Sequence, residues 1–313
     1  MTPFLQFQPL YQERVWGGRA LETFLGRKLP GTTPIGESWE LVDRPEAQSV
    51  VAGGPWAGRT LREVMAAHAA EIMGPAWPAT RPFPLLVKWL DCRDRLSVQV
   101  HPPAGLAEKL GGEAKTENWY FVQTGPGAAV YAGLRAGVTR AVFEQAITGG
   151  TVDRCLERPA VRAGDSLLIP SGTMHAIDAG NVILEIQQNS DTTYRAYDWG
   201  RMGLDGKPRA LHLAQSLACL EANAAPTPHL VRGPGVLAQC REFTIRQQQL
   251  QAGDPLVFAR GQQARILSVV AGELSGGGVL ARGDNVLLPY AGAFLFVAKT
   301  DATILVTENF SDA

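Results

Sequence analysis

Charge of one sign is missing from this chain: 29 basic against 30 acidic residues leave a formal net charge of −1 over 313 residues. No global field therefore draws in nucleic acid or an acidic membrane surface, and an anionic ligand has to be met by a local cluster. Long hydrophobic runs are missing too. No segment approaches the length of a transmembrane helix, and the opening "MTPFLQFQPLYQERVWGG" has no basic stretch followed by a continuous apolar one. The expectation is a cytoplasmic protein with neither membrane nor nucleic acid as partner. Cysteine is scarce: Cys92, Cys155, Cys219 and Cys240 stand without CxxC spacing, which argues against a thiolate zinc site and a disulfide framework and leaves reduced, mostly buried thiols.

With 45% hydrophobic and 19% charged residues the composition is that of an ordinary globular protein, long enough for two domains or one large β-rich one. Most of it consists of short β-rich runs punctuated by glycine and proline, such as "AAVYAGL", "DSLLIPSG", "NVILEIQQ" and "FLFVAKTDATILVTE", the pattern of sandwiches and barrels. Three segments have helical periodicity instead, near 60–74, 138–150 and 211–225. Thr60 and Thr139 are the expected N-caps of the first two, and glycines stand where these helices should end. The segment "APTPHLVRGPG" suggests a boundary, giving an expected division into 1–226 and 227–313.

A faint repeat links the two blocks. "RAGDSLLIPSGTMHAI" and "ARGDNVLLPYAGAFLF" superpose without a gap, pairing Gly164 with Gly283, Asp165 with Asp284 and Pro170 with Pro289. Each copy reads as a Gly-Asp turn, an apolar strand, and a proline that forces a second turn. His175 of the first copy falls opposite Phe294 of the second, so the second block is expected to bind no metal.

The stretch "LSVQVHP" alternates as a strand does, yet puts Gln99 and His101 on one face with Val98 and Val100 on the other. Lys115 and Glu117 share a face by the same argument, and His175 follows a turn. Two imidazoles and a carboxylate suit zinc or a similar divalent ion, with the glutamine carbonyl as a weaker neutral donor. With Glu117 as the only anion, about one positive charge remains, which favours oxygen-rich anionic ligands. A hydrogen-bonded polar pair with no metal is the alternative for an isolated QxH. The other histidines, His68, His212 and His229, have no ligand partner at useful spacing and read as surface or packing residues.

Beyond these residues, "ERVWGG", "IGESWELVDRP", "LVKWLDCRDRLSVQVHP", "KTENWY", "IPSGTMHAI" and "LEIQQNSDTTYRAYDWGR" resemble the type I phosphomannose isomerases in their short bacterial form. The resemblance runs over nearly the whole first block. It implies a mainly β fold of two cupin-like jelly-roll β-barrels, with added helices packed on the first and the second a degenerate copy. It also implies one Zn2+ per chain, a small sugar phosphate as partner, and interconversion of mannose 6-phosphate and fructose 6-phosphate through an enediol. Carried over by motif, the zinc ligands are Gln99, His101, Glu117 and His175; the catalytic set is Lys88, Lys115, Glu185 and Arg195; Trp16, Glu37 and Arg195 line the substrate pocket. One departure is visible: many members follow "QVHP" with an aspartate, where this chain has Pro103 and Ala104.

Isomerisation needs an acid–base group and stabilisation of charge on the carbonyl oxygen. A lysine beside a cation can have its pKa lowered enough to act as a base, which makes Lys88 a candidate; Glu185 and Lys115 are the others, and the choice stays open. Arg195 suits a phosphate or oxyanion, with a salt bridge to Asp191 or Asp198 as its structural alternative. Tyr194 and Trp199 either wall the pocket or fill core. Two other functions use the same residues: a sugar-phosphate-binding cupin that has lost catalysis, and a metal cupin oxygenase. Oligomeric state is open.

Overall fold

A computed structural model describes residues 3–221 and 227–310. The chain divides into two compact units, Met1–Leu10, Trp39–Val87 and Val231–Ala313 forming one, and Tyr11–Ser38 with Lys88–Leu230 the other. The sequence division placed residues 1–10 and 39–87 with the first block; in the structure they group with the C-terminal one. Within that unit the reason is visible: Leu5–Gln6 is an edge strand hydrogen-bonded to Asn285–Leu288. The 226/227 point itself borders residues outside the described ones.

Both units are mainly antiparallel β. In the unit that holds the candidate ligands, a four-stranded sheet has the order Tyr194–Tyr197, Val98–Val100, His175–Ile177, Val130–Ala132. A larger sheet contains Asp165–Ile169, Glu117–Thr124, Asn181–Gln188 and Leu85–Cys92 as successive neighbours. Trp119, Phe121, Leu167, Ile169 and Ile183 from the larger sheet share one core with Val130, Ala132 and Ile177 from the smaller, so the two sheets pack face to face. The other face of the smaller sheet is apolar as well. Val98, Val100, Ala176, Tyr194 and Ala196 pack with Phe143 and Ala146 of the helix Arg140–Gly149 and with Leu217 and Cys219 of the helix Leu213–Glu221. These are two of the three helices expected on the first barrel. The Thr139 side chain caps the first of them at the amide of Val142, and Gly150 ends it with φ of 69°. The expected extension of the other through 222–225 lies outside the described residues.

The second unit repeats the plan, with six- and four-stranded sheets around Leu267, Val269, Val286, Phe294, Phe296 and Ile304. The third helix, expected near 60–74 on the first barrel, runs Leu61–Ile72 and belongs to this unit instead; Thr60 and Glu63 close a capping box at its start. The repeat has the same hydrogen bond in both copies: Asp165 Oδ2 accepts from the amide of Arg162 at 2.9 Å, and Asp284 Oδ2 from that of Ala281 at 2.8 Å. Gly164 and Gly283, at φ of 88° and 101°, make the turn just before each aspartate. All four cysteines are free, and no helix among the described residues is long and apolar enough to cross a membrane.

Candidate metal centre

Strand register assembles the site. His175 lies opposite Gln99 on one side of the Val98–Val100 strand, and Arg195 lies opposite Gln99 on the other. Directly opposed residues share a face of a sheet, so Arg195, Gln99 and His175 form a row across it. The backbone spacing makes that row about 10 Å long from end to end. Alternation explains the puzzle of a polar strand in an apolar neighbourhood: the valines face the helices, while Gln99 faces the interior between the sheets. His101 follows just past the strand end, and Glu117 opens the strand Glu117–Thr124 of the larger sheet.

His101, Glu117 and His175 bring their potential ligand atoms within 4.8 Å of one another, all buried. His101 Nε2 is 3.2 Å from Glu117 Oε2, and His175 Nε2 is 3.3 Å from Glu117 Oε1. The ring protons are committed elsewhere. His101 Nδ1 donates to the carbonyl of Thr192 at 2.8 Å, and His175 Nδ1 to that of Thr173 at 2.8 Å. A neutral imidazole carries one N–H, so both Nε2 atoms present lone pairs to a carboxylate that also has only lone pairs. His101 Nε2 and both Glu117 oxygens are buried without hydrogen-bond partners, although the Lys115 ammonium lies 2.8 Å from Oε2. Acceptors converging on acceptors in a buried place need a cation between them, and two imidazoles with a carboxylate are the donor set zinc takes.

Protonation states fit the same ion. Burial, then the Lys115 charge, pushes His101 down to about 3, and burial likewise lowers His175. For Glu117 burial works upward, but Lys115 and then His101 hold it well below the usual carboxylate range. Neutral imidazoles and an ionised carboxylate are the forms that bind metal. Gln99 sits at the edge of this centre: its Nε2 is 3.3 Å from His175 Nε2, and its Oε1 accepts from Ser97 Oγ at 3.3 Å. Which amide atom faces the centre is an assignment, and a half-turn presents the oxygen.

Beside the centre lies a cavity of about 400 Å³ whose lining includes Trp16, Glu37, Lys88, Gln99, Lys115, Glu117, Glu185 and Arg195. Eight of the ten residues singled out from sequence as ligands, catalytic groups or pocket lining thus line one cavity, and the other two, His101 and His175, meet the lining residue Glu117 at the buried centre. Lys88 Nζ is 3.1 Å from Glu185 Oε1, and Lys115 Nζ is 3.7 Å from the same oxygen. The direction of the Lys88 shift is opposite to that expected of a base. Burial works to lower its pKa, but Glu185 and then Glu37 outweigh it, and the net change is upward. Glu185 is raised, by burial first and then by Glu117, against Lys88 and Lys115.

Arg195 Nη1 donates to the carbonyl of Ala210 at 2.8 Å, while Asp198, its suggested partner, is bound by Arg201 and Arg209. Tyr194 and Trp199 are not part of the lining; Tyr194 donates to the Leu110 carbonyl and Trp199 Nε1 to that of Leu96. His212 is no ligand: its Nδ1 accepts from the amide of Arg195 at 3.2 Å.

Sequence reasoning passed over Arg14, Thr193 and Arg209, which also line the cavity, and weighed Asp191, another lining residue, only as a salt-bridge partner of Arg195. Arg14 was within reach, two residues before Trp16 on the same strand and so on the same face; it grips Glu37 through Nε and Nη2 at 3.1 and 3.2 Å. Nothing local marks Arg209, which a turn brings back to the cavity. Five cationic side chains (Arg14, Lys88, Lys115, Arg195, Arg209) and four carboxylates (Glu37, Glu117, Glu185, Asp191) line it, an excess of one positive charge before any metal ion.

Comparison with known proteins agrees with this geometry. The family model "phosphomannose isomerase type I, catalytic domain" matches residues 4–124. The mannose-6-phosphate isomerase ManA of Bacillus subtilis is 37% identical over 306 residues, covering 92% of this chain and 94% of its own. That of Streptococcus mutans is 38% identical, with 91% and 92% covered. The crystal structure of the B. subtilis mannose 6-phosphate isomerase superposes with a TM-score of 0.84 at 30% identity, covering 98% of this chain and all of that one. A zinc-bound mannose 6-phosphate isomerase superposes at 0.76 with 17% identity, which speaks to the fold alone. On its motifs, fold and relatives together, the chain belongs to the type I phosphomannose isomerases.

Proposed function

We propose that this protein interconverts mannose 6-phosphate and fructose 6-phosphate, with one zinc ion held by His101, Glu117, His175 and the Gln99 carbonyl oxygen. The observation that carries this reading is the buried meeting of two imidazole lone pairs with an ionised carboxylate beside a cavity of net positive charge. Bound there, zinc supplies Lewis acidity toward the substrate carbonyl or an anchor for its hydroxyls.

The remaining work falls to the chain's own side chains. In the forward direction a proton leaves C2 and O1 is protonated, giving the enediol; a proton then returns to C1 while O2 gives up its own. Glu185, with its pKa raised, is the better proton acceptor of the buried groups. Lys88, held charged 3.1 Å away, is suited to donate and to stabilise negative charge on oxygen. Lys115 neutralises charge between Glu117 and Glu185. Arg195, at the far end of the row from His175, would take the phosphate, and Trp16 and Glu37, in the same lining, would wall the sugar.

The test is turnover with metal analysis. Chelation, or His101→Ala, is expected to abolish isomerisation and reduce bound zinc from one per chain to near zero, while the far-ultraviolet circular dichroism keeps its β signature. Undiminished turnover in the metal-free protein would overturn the zinc assignment. Binding of mannose 6-phosphate without turnover by the zinc-loaded protein would overturn the catalytic one.

A further inference from the structure

The cavity lining near Arg195 carries a second arginine, Arg209. Asp198, buried just past the Arg195 strand, has both oxygens occupied: Oδ1 accepts from Arg201 Nη2 at 2.9 Å and Arg209 Nη2 at 2.6 Å, and Oδ2 from Arg209 Nε at 2.6 Å. Two guanidinium groups thus share one carboxylate, which makes three hydrogen bonds. Burial, then Arg209, disfavours the charge on Arg195, and Asp198 supports it. Arg195 Nε is buried without a hydrogen-bond partner. Arg209, like Arg195, lines the cavity, and Asp198 engages only its Nε and one terminal nitrogen, leaving the Nη1 edge available.

The backbone fixes both arginines relative to one another. The amide of His212 donates to the Arg195 carbonyl at 2.7 Å, the Arg195 amide donates to His212 Nδ1, and Arg195 Nη1 is held by the Ala210 carbonyl. Arg195 therefore holds the main chain next to Arg209, at Ala210, while Asp198 holds the Arg209 guanidinium. A guanidinium oriented by a carboxylate on one edge, with N–H groups left on another, is a preorganised anion receptor.

We propose that Arg209 is a second phosphate-binding arm, set by Asp198 to close with Arg195 on the phosphoryl dianion of the substrate. This rests on the reading that the cavity takes a sugar phosphate. A purely structural Arg209–Asp198 bridge would support folding without discriminating phosphorylated from unphosphorylated sugar.

The zinc-loaded full chain is assayed with mannose 6-phosphate and with mannose, and inorganic phosphate is titrated into it calorimetrically. In Arg209→Gln the ratio of kcat/KM for mannose 6-phosphate to that for mannose is expected to fall about 10- to 100-fold, the worth of one charge-assisted contact. Phosphate affinity should fall by a similar factor. Arg209→Lys, which keeps the charge opposite Asp198 and loses the second edge, should show the same direction and guards against a folding defect in the glutamine variant. An unchanged ratio, or unchanged phosphate affinity in a folded variant, overturns the proposal. Failure of the unaltered protein to isomerise mannose 6-phosphate would remove the functional reading alone, because phosphate affinity with and without Arg209 still decides whether this arm exists.

Discussion

At the scale of single residues, the site is a set of groups whose protonation is dictated by neighbours. Glu185 is the clearest case, since burial and Glu117 raise it while Lys88 and Lys115 resist. If it accepts the proton in its ionised form, activity is present above its pKa and lost as pH falls through it. The acid limb of the kcat/KM profile should then lie above 4.5, the ordinary value for the group. Glu185→Gln should lower kcat by ~10²–10⁴-fold, the usual worth of a general base, and flatten that limb. A retained limb in the variant would assign the base elsewhere. Gln99, His101 and Glu117 were legible because period-two alternation puts like-facing residues together without knowledge of the partner strand. The main-chain carbonyls of Thr173 and Thr192 were not, because every residue has a carbonyl and only the fold says where it points. Nor was the sign of the Lys88 shift, which depends on Glu185 and Glu37, both remote in sequence.

At the scale of elements, strands deliver the pocket lining, and close approaches keep them in place. Gly17, next to Trp16 on the strand Leu10–Gly18, lies so near the neighbouring strand that an added Cβ would come 2.5 Å from Ile35 C and collide with Gly36. Gly17→Ala should destabilise the protein by about 1–3 kcal/mol, the cost of overpacking, measured by urea unfolding. Gly105→Ala in the short helix Ala104–Ala107 meets nothing within 4 Å and should be neutral or stabilising by less than about 1 kcal/mol. The longer helices were readable from caps at Thr60 and Thr139 and from apolar spacing. The pairing of Leu5–Gln6 with Asn285–Leu288 was not, since a two-residue edge strand has no pattern of its own.

At the scale of the whole molecule, folding buries a centre that only a cation completes. Ion binding to the native state alone stabilises it by mass action, about 2.7 kcal/mol at a hundredfold excess over Kd. For a unit of roughly 150–250 residues this corresponds to a rise in Tm of about 5–10 °C. Calorimetry with zinc and with chelator should show that shift in the natural chain and lose it in His101→Ala. The two-barrel plan was readable from the repeat because both copies needed the same Gly-Asp turn. What the repeat could not convey was membership: the stretches up to Leu10 and Trp39–Val87 precede much of the first barrel in sequence and belong to the other unit.

Both metal-facing imidazoles give their single ring proton to peptide oxygens rather than to side chains. Their tautomers are therefore set by the path of the chain at 173 and 192 and not by a side chain bonded to either ring. At 192 the hydroxyl also accepts from the amide of Glu113 at 3.0 Å, so its loss would act on the ligand at one remove, by loosening the loop that aims the carbonyl at His101.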